Sequence, residues 1–346
     1  MFKILIESHV PFAEGAFGGE AEVAVLAPGE FTRQRLTDEK ADAIIVRTRT
    51  RCDASLLEGT GVSVVATATI GTDHIDIPYC ESRGIKVVNA PGCNAPAVAQ
   101  YVFAAALRLI GGRHPSNLTL GIVGVGNVGS IVARWGRQLG FRVLECDPPR
   151  ELCEPGYRSV PLETIAAEAD IITFHTPHTR TGAHATHHLA DERFFSSLRR
   201  KPMIINAARG PIVDTAALLA AIADSKVGDI VTDCWEGEPL ISRELLTASR
   251  FATPHIAGYS IEGKKRATQM TVNAVLRHFG SDRRLDLGIP PGAAAKVTAG
   301  SITASYDPAA DTEVLRSAYA AVGDDHEAAK AFEHLRDSYP LRREVR

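Results

Sequence analysis

The stretch "LTLGIVGVGNVGS" (118–130) constrains the fold more than any other part of the chain. An apolar run gives way to glycines at the spacing G-x-G-x-x-G (Gly124, Gly126, Gly129), and a helix-compatible segment, 127–139, continues from there. Glycines so spaced let a strand turn sharply into a helix, let a pyrophosphate approach the backbone, and let helix and strand pack closely. The anion then meets free N–H groups and the positive end of a helix dipole. Alone the motif is a weak signal; its place between strand and helix gives it force. Asn127 and Val128 lie inside it and join the glycines as expected cofactor contacts. The next apolar run ends at Asp147, about 20 residues beyond the first glycine, where an acid accepts from the adenosine ribose and repels a 2′-phosphate. That favours NAD over NADP. The competing reading of Asp147 is a turn residue before Pro148 and Pro149.

The motif belongs to a longer rhythm. Apolar runs at 2–7, 41–47, 62–68 and 85–90 form one series. A second series runs through 118–126, 141–147, 169–176, 202–208, 228–235 and 251–257, with helical segments at 127–139, 162–168, 191–199, 214–223 and 243–249. Both series predict α/β units, each a doubly wound parallel sheet. Residues 292–313 are small, polar and loop-rich, and 313–338 is helical, so a third small region is expected over 287–346.

Composition removes several function classes. A net charge of −3, with no long basic run, gives no sign of a nucleic-acid or membrane partner. "APAVAQYVFAAALRLI" (95–110) carries Gln100 and Arg108, and no stretch reaches the roughly 18 apolar residues of a membrane span. The start, "MFKILIESHVPF", lacks the parts of a signal peptide. The six cysteines (52, 80, 93, 146, 153, 234) form no C-x-x-C pair, against structural zinc or a disulfide framework and for a reduced, cytoplasmic setting.

If a dinucleotide lies along the second sheet, its nicotinamide points to the carboxyl ends of the later strands. Those ends carry "NAARGPIVD", "TDCWEGEP" and "TPHIAGYS", each with one reactive group: Arg209, Glu238 and His255. A lone histidine among apolar residues ordinarily reads as a satisfied core residue. Three complementary groups on successive strand ends argue otherwise. Oxidising a secondary alcohol releases a hydride to nicotinamide and a proton to a base, and imidazole, with an unperturbed pKa of about 6.5, suits the base. A carboxylate beside it orients the ring and favours the imidazolium. A forked guanidinium can bind the carboxylate of a 2-hydroxy acid and polarise its developing carbonyl.

Together "GIVGVGNVGS", "NAARGPIVD", "DCWEGEP" and "PHIAGY" resemble the D-isomer-specific 2-hydroxyacid dehydrogenases. "TATIGTDHID", "NAPGCNAPAVAQYV", "CDPPR", "TFHTPHTRTG", "HHLADERF" and "PHIAGYSIEGKKRATQ" resemble the branch of that family that oxidises 4-phosphoerythronate. The likeness is strong over 1 to about 285 and weaker through "FEHLRDSYPLRRE". It implies a flavodoxin-like substrate-binding domain (1–93 and 257–286), an inserted Rossmann-like NAD domain (94–256), and a small α+β C-terminal domain (287–346) that forms a homodimer. It implies NAD-dependent oxidation of 4-phospho-D-erythronate to (R)-3-hydroxy-2-oxo-4-phosphooxybutanoate, in vitamin B6 synthesis. By motif match, Arg209, Glu238 and His255 become the catalytic set. NAD contacts fall at Asp147, Thr176, Ala207, Ala208, Arg209, Asp233 and Gly258, and substrate contacts at Thr48, Thr69 and Tyr259. The sequence departs from the family pattern at Ala208 and Thr48, where cysteine and serine are frequent, and its tail is short.

The substrate end is less sharply written. "VRTRTR" offers Arg47, Arg49 and Arg51 beside Thr48, and alternation on an extended segment sends arginines and threonines to opposite sides. A turn must intervene if both types contribute. Arg47 is taken as a substrate contact; the sequence does not rank the three arginines for the phosphate, and at least one of them is expected to be a solvated surface residue. "HTPHTRTGAHATHH" (175–188) holds His184 and His188 at i, i+4, but Gly182 and the threonines disfavour the helix that a metal pair needs, so no metal is expected. The alternatives are the same chemistry on another hydroxy acid, such as 3-phosphoglycerate, or a non-catalytic NAD-sensing protein on this fold.

Overall fold

The computed structural model describes residues 1–288 and 297–345. The chain divides into two compact units. The first holds Met1–Asn94 and the stretch from Ser260 to 288; the second holds Ala95–Tyr259 and the segment from 297 on.

In the first unit, strands β1 (Phe2–Glu7), β2 (Ala21–Leu26), β3 (Ala43–Val46), β4 (Val64–Thr67) and β5 (Lys86–Val88) form one parallel sheet in the order β2-β1-β3-β4-β5. β3 and β4 are buried along their whole length, which is why their sequences run apolar without alternation. The helix Ile261–His278 lays Ala267, Val272, Val275 and Leu276 over one face, against Ile4, Ile6, Ile45, Val64 and Ala66. Leu36, Leu56, Leu57 and Cys80, from three short helices, cover Leu5, Ile44 and Val65 on the other. β2 has no counterpart in the apolar runs read above: as an edge strand it is largely exposed, so core packing leaves little mark on it.

The second unit carries β6 (Thr119–Val123), β7 (Arg142–Cys146), β8 (Ile171–Phe174), β9 (Met203–Asn206), β10 (Ile230–Thr232) and β11 (Phe251–Ala252), all parallel, in the order β11-β10-β9-β8-β6-β7. The helix Ala95–Leu109 is almost wholly buried and packs beside Asn127–Leu139, with Phe103, Trp135 and Phe141 between them. Full burial of such a side chain is worth about 2 kcal/mol. The opposite face is covered by the helices Leu162–Glu168, Glu192–Ser196, Thr215–Ala223 and Arg243–Ala248. Both sheets are doubly wound, and both reverse direction between the first and second strands of the series and the third, at β1/β3 and β6/β8.

The strands stop earlier than their apolar runs. Register pairs Val123 with Cys146 and Phe174, then Phe174 with Asn206, Asn206 with Thr232, and Thr232 with Ala252. All six therefore end level, and the small apolar residues beyond them are buried loops at one edge.

The C-terminal region differs from expectation. Over the described residues it is helical, with no strand: Ala299–Ser305, Pro308–Ala320 and Asp325–Asp337, each started by a side-chain cap (Thr298, Asp307, Asp324). Those caps turn most of the expected loop 292–313 into helix; residues 292–296 lie outside the described residues. The region also joins the second unit instead of standing apart. Ile302, Tyr306 and Val345 complete one of its cores, and Leu315, Tyr319, Ala328 and Phe332 the other. Among the described residues no helix is long and apolar enough to cross a membrane.

Candidate active site

Because the strands of the second sheet end level, Gly124, Asp147, Thr176, Arg209, Glu238 and His255 all follow strand ends at one edge. β9, β10 and β11 are neighbours, so Arg209, Glu238 and His255 come from adjacent strands.

Glu238 Oε2 and His255 Nδ1 lie 2.7 Å apart, and Glu238 Oε1 accepts from the Trp235 backbone N–H at 2.8 Å. Burial pushes the Glu238 carboxyl up, but the His255 charge and hydrogen bond, the Trp235 N–H and the Arg336 charge outweigh it and hold it below the usual carboxylate range. His255 itself has φ of +56°, the left-handed region that a residue with a β-carbon seldom occupies. Behind it, Asp233 Oδ1 accepts from Thr253 Oγ1 (2.6 Å), Ile256 N (2.8 Å) and Ala257 N (3.1 Å), and Thr253 Oγ1 shares a 2.7 Å hydrogen bond with Tyr101. Burial raises the Asp233 carboxyl against those bonds.

The Arg209 loop is pressed onto the Glu238 loop. A β-carbon on Gly210 would lie 1.8 Å from Trp235 O, so only glycine fits. Asn206 ties the two loops: its Nδ2 donates to Arg209 O (3.1 Å) and Cys234 O (3.3 Å), while its Oδ1 accepts from Ala208 N (3.2 Å). Cys234 Sγ lies within 4.8 Å of ligand atoms on Glu238 and His255, but burial pushes the thiol well up and it donates to Ala208 O at 3.4 Å. The trio is engaged as a carboxylate–imidazole pair with a neutral thiol beside it.

The cofactor candidates fit a dinucleotide. A β-carbon on Gly129 would sit 2.1 Å from Gly124 O, so the helix Asn127–Leu139 can begin this close to β6 only with glycine there. Gly126 and Asn127 are exposed at that helix start, with Val128 partly buried behind them. Asp147 accepts from Val125 N (2.7 Å) and Arg150 N (3.0 Å), bracing the glycine turn as well as capping the helix Pro148–Cys153. Thr176, beside Gly124 across the switch point, has a buried hydroxyl with no hydrogen-bond partner. Ala207 and Gly258 are partly buried and Ala208 is buried. Asp233, expected to touch NAD, is 1% exposed and its carboxylate accepts backbone N–H groups of the 253–257 turn.

The expected substrate residues are split between the units. Tyr259 belongs to the second and meets Tyr339 edge-on, ring centroids 6.0 Å apart. Arg47, Thr48 and Thr69 belong to the first and follow the ends of β3 and β4. A turn does follow β3 and carries Thr48 and Arg49, both exposed. Glu7, the buried acid that ends β1, organises that turn: its Oε2 accepts from Arg47 N (2.9 Å) and Thr50 Oγ1 (2.7 Å). Thr69 Oγ1 donates to Gly71 O at 3.0 Å. Arg51 pairs with Asp53 at 2.6 Å and is 80% exposed, so it and Arg49 are both solvent-facing. The histidine-rich stretch is not helical; His188 sits between Glu236 (2.6 Å) and Asp214 (3.2 Å), while His178 meets His187 at 3.2 Å.

Sequence reasoning missed Asn206, Glu7 and the inward role of Asp233. The signal was there for the first two, as single polar residues closing the apolar runs "MII" and "FKILI".

The family described as D-isomer specific 2-hydroxyacid dehydrogenase, NAD binding domain, matches residues 99–257. A protein of Bacteroides thetaiotaomicron named erythronate-4-phosphate dehydrogenase is 45% identical over 99% of this chain and 97% of its own. One of the same name from Marinobacter nauticus is 41% identical over 99% and 92%. Among solved structures, D-lactate dehydrogenase from Aquifex aeolicus, complexed with NAD and lactic acid, is similar with a TM-score of 0.66 and 26% identity, over 84% of this chain and 100% of that one. The chain therefore belongs to the D-isomer specific 2-hydroxyacid dehydrogenases, an NAD-dependent oxidoreductase family, in the group whose members are named erythronate-4-phosphate dehydrogenase.

Proposed function

We propose that this protein oxidises 4-phospho-D-erythronate at C2 to (R)-3-hydroxy-2-oxo-4-phosphooxybutanoate, with His255 as the base. The observation that carries the chemistry is the 2.7 Å Glu238–His255 pair, formed between the loops that follow β10 and β11, with the Arg209 loop following the neighbouring β9. The relatives' name supports the substrate.

When bound, NAD supplies the acceptor for the hydrogen that leaves C2 with its electron pair. Gly124, Gly126, Asn127, Val128 and Gly129 would hold its pyrophosphate, Asp147 its adenosine ribose, and Thr176, Ala207, Ala208, Arg209 and Gly258 its nicotinamide end. Glu238, ionised, accepts a hydrogen bond from Nδ1–H of His255, which keeps that proton on the ring and leaves Nε2 with its lone pair for the C2 hydroxyl. Nε2 takes the hydroxyl proton, and the carboxylate stabilises the imidazolium formed. Arg209 binds the substrate carboxylate and polarises the new carbonyl. Arg47, Thr48, Thr69 and Tyr259 hold the remainder, phosphate included. Asp233 acts through the turn it anchors.

The same reading places the protein in the cytoplasm, in vitamin B6 synthesis, as a homodimer joined through its C-terminal helices; sedimentation equilibrium giving a monomer would remove the dimer alone.

The test is NADH formation from NAD and 4-phospho-D-erythronate, against 3-phosphoglycerate at equal concentration, with hydrazine trapping the oxo acid. Strong preference for the erythronate is expected. His255→Asn should lower turnover roughly 10²–10⁴-fold, the range of a general base, with NAD affinity nearly intact. Turnover of 3-phosphoglycerate alone would discard the substrate and keep the base; an active His255→Asn would discard the base.

A further inference from the structure

His255 holds a backbone conformation that persists only where its surroundings over-determine it. Asp233 supplies half of the determination by accepting the N–H groups of Ile256 and Ala257. The other half comes from far along the chain. Arg342 Nη1 donates to Ile256 O (3.0 Å), and its Nη2 donates to Ala257 O and to Ala97 O (3.2 Å). An acid and a base thus grip the same two residues, one by their donors and the other by their acceptors.

We propose that Arg342 is a positioning residue for the proton transfer: with Asp233 it locks the Ile256–Ala257 turn and so sets the direction in which His255 presents its imidazole. The inference rests on the role of His255 given above.

Arg342 is itself held in place. Its guanidinium lies over the Tyr306 ring at 4.4 Å and meets Tyr339 Oη at 3.3 Å. Tyr306 and Tyr339 both donate to Asp311 Oδ2, at 2.8 and 3.0 Å, and Gln100 Nε2 donates to the neighbouring Arg343 O at 3.1 Å. Tyr339 also meets Tyr259, four residues beyond His255. A planar fork can serve carbonyls of two successive residues at once; a lysine ammonium is a point charge that cannot span them in the same way. The C-terminal segment is therefore part of the reacting centre within one chain, whatever its role between chains. Arg336, from the helix Asp325–Asp337, adds its charge to the field that keeps Glu238 ionised.

The experiment compares Arg342→Ala and Arg342→Lys with the parent in the full chain. Misplacing a catalytic group by about 1 Å can cost on the order of 10²-fold. Arg342→Ala is expected to lower kcat roughly 10–100-fold with NAD affinity within about twofold, and Arg342→Lys, the variant that retains the charge if alanine unfolds the turn, to fall between. Guanidinium added at non-denaturing concentration should restore part of the Arg342→Ala rate, where equal sodium chloride does not. With 13C-labelled histidine, the His255 signal, assigned by its loss in His255→Asn, should titrate differently in Arg342→Ala without any substrate. An unchanged kcat and His255 titration would overturn the proposal. So would a loss of NAD affinity in proportion to rate with no guanidinium rescue, the mark of general loosening. Should the parent oxidise neither hydroxy acid, the substrate reading falls, while the His255 titration still decides the clamp.

Discussion

Each sheet reverses direction at one point, and the two reversals are furnished in opposite ways. At β6/β8 the chain places glycines, an open helix start and an unpartnered threonine hydroxyl. At β1/β3 it places Glu7, a fully buried carboxylate that binds the backbone of the next strand's turn. Topology makes a crevice in both places, and the first is lined by a glycine turn and a helix start, where N–H groups meet an anion. The second holds a side chain that shapes the turn bearing Arg47 and Thr48 through the bonds it accepts from Arg47 N and Thr50 Oγ1. A doubly wound sheet therefore offers a site, and a few residues at the strand ends decide whether it holds a dinucleotide or a loop.

Substitutions at the two reversals should break this symmetry in different measurements. The largest effect is expected from Gly129→Val: its β-carbon would meet Gly124 O at 2.1 Å, so NAD affinity by calorimetry should drop by more than about 10²-fold, a cost of ~3 kcal/mol or more. Retained affinity would mean that the cradle is not the dinucleotide site. Next, Glu238→Gln should lower kcat on the order of 10²-fold by removing the charge that steadies the imidazolium, with NAD affinity unchanged. Glu7→Gln tests the other reversal. Hydrogen bonds to a charged group are worth about 1.5–3 kcal/mol, so the KM for the hydroxy acid should rise about tenfold while NAD binding stays as it was; a fall in NAD affinity would erase the distinction between the two. Asp147→Ala should weaken NAD about tenfold and relax discrimination against NADP.

The last effect is on stability against pH. Burial pushes His175, just past β8, down to about 3. The unfolded imidazole gains its proton near 6.5, so the folded state loses ground as pH falls from about 6.5 toward 3. Glu238, held below its unfolded value, adds stability that is present above about 4.3 and is lost as pH falls through its folded value. Both act in the same direction, so the melting temperature should decline through this window, and His175→Gln should flatten its upper part. A flat profile in the parent would refute the buried neutral state of His175.

Both sheets and the glycine cradle were legible in the sequence because buried parallel strands and phosphate turns leave continuous apolar runs and fixed glycine spacings. That Arg209, Glu238 and His255 follow successive strands was legible because each lies shortly after an apolar run. β2 was not, since an edge strand is shaped by pairing and not by a core. The helices after 297 were hidden by small polar residues that act as caps, Thr298 and Asp307 among them. The bonds Asp233 accepts from the Ile256 and Ala257 backbone were not legible, since its position but not its direction is written in sequence. Arg342 could not be found at all: its partners are backbone carbonyls, which have no residue code.

The level ends of the second sheet have one more consequence. With six strands finishing in a single row, loops of unequal length meet at one height, so the groups at the site fasten to one another across loops, Asn206 to Cys234 and Glu238 to His255, and a change in one connection is felt by its neighbours.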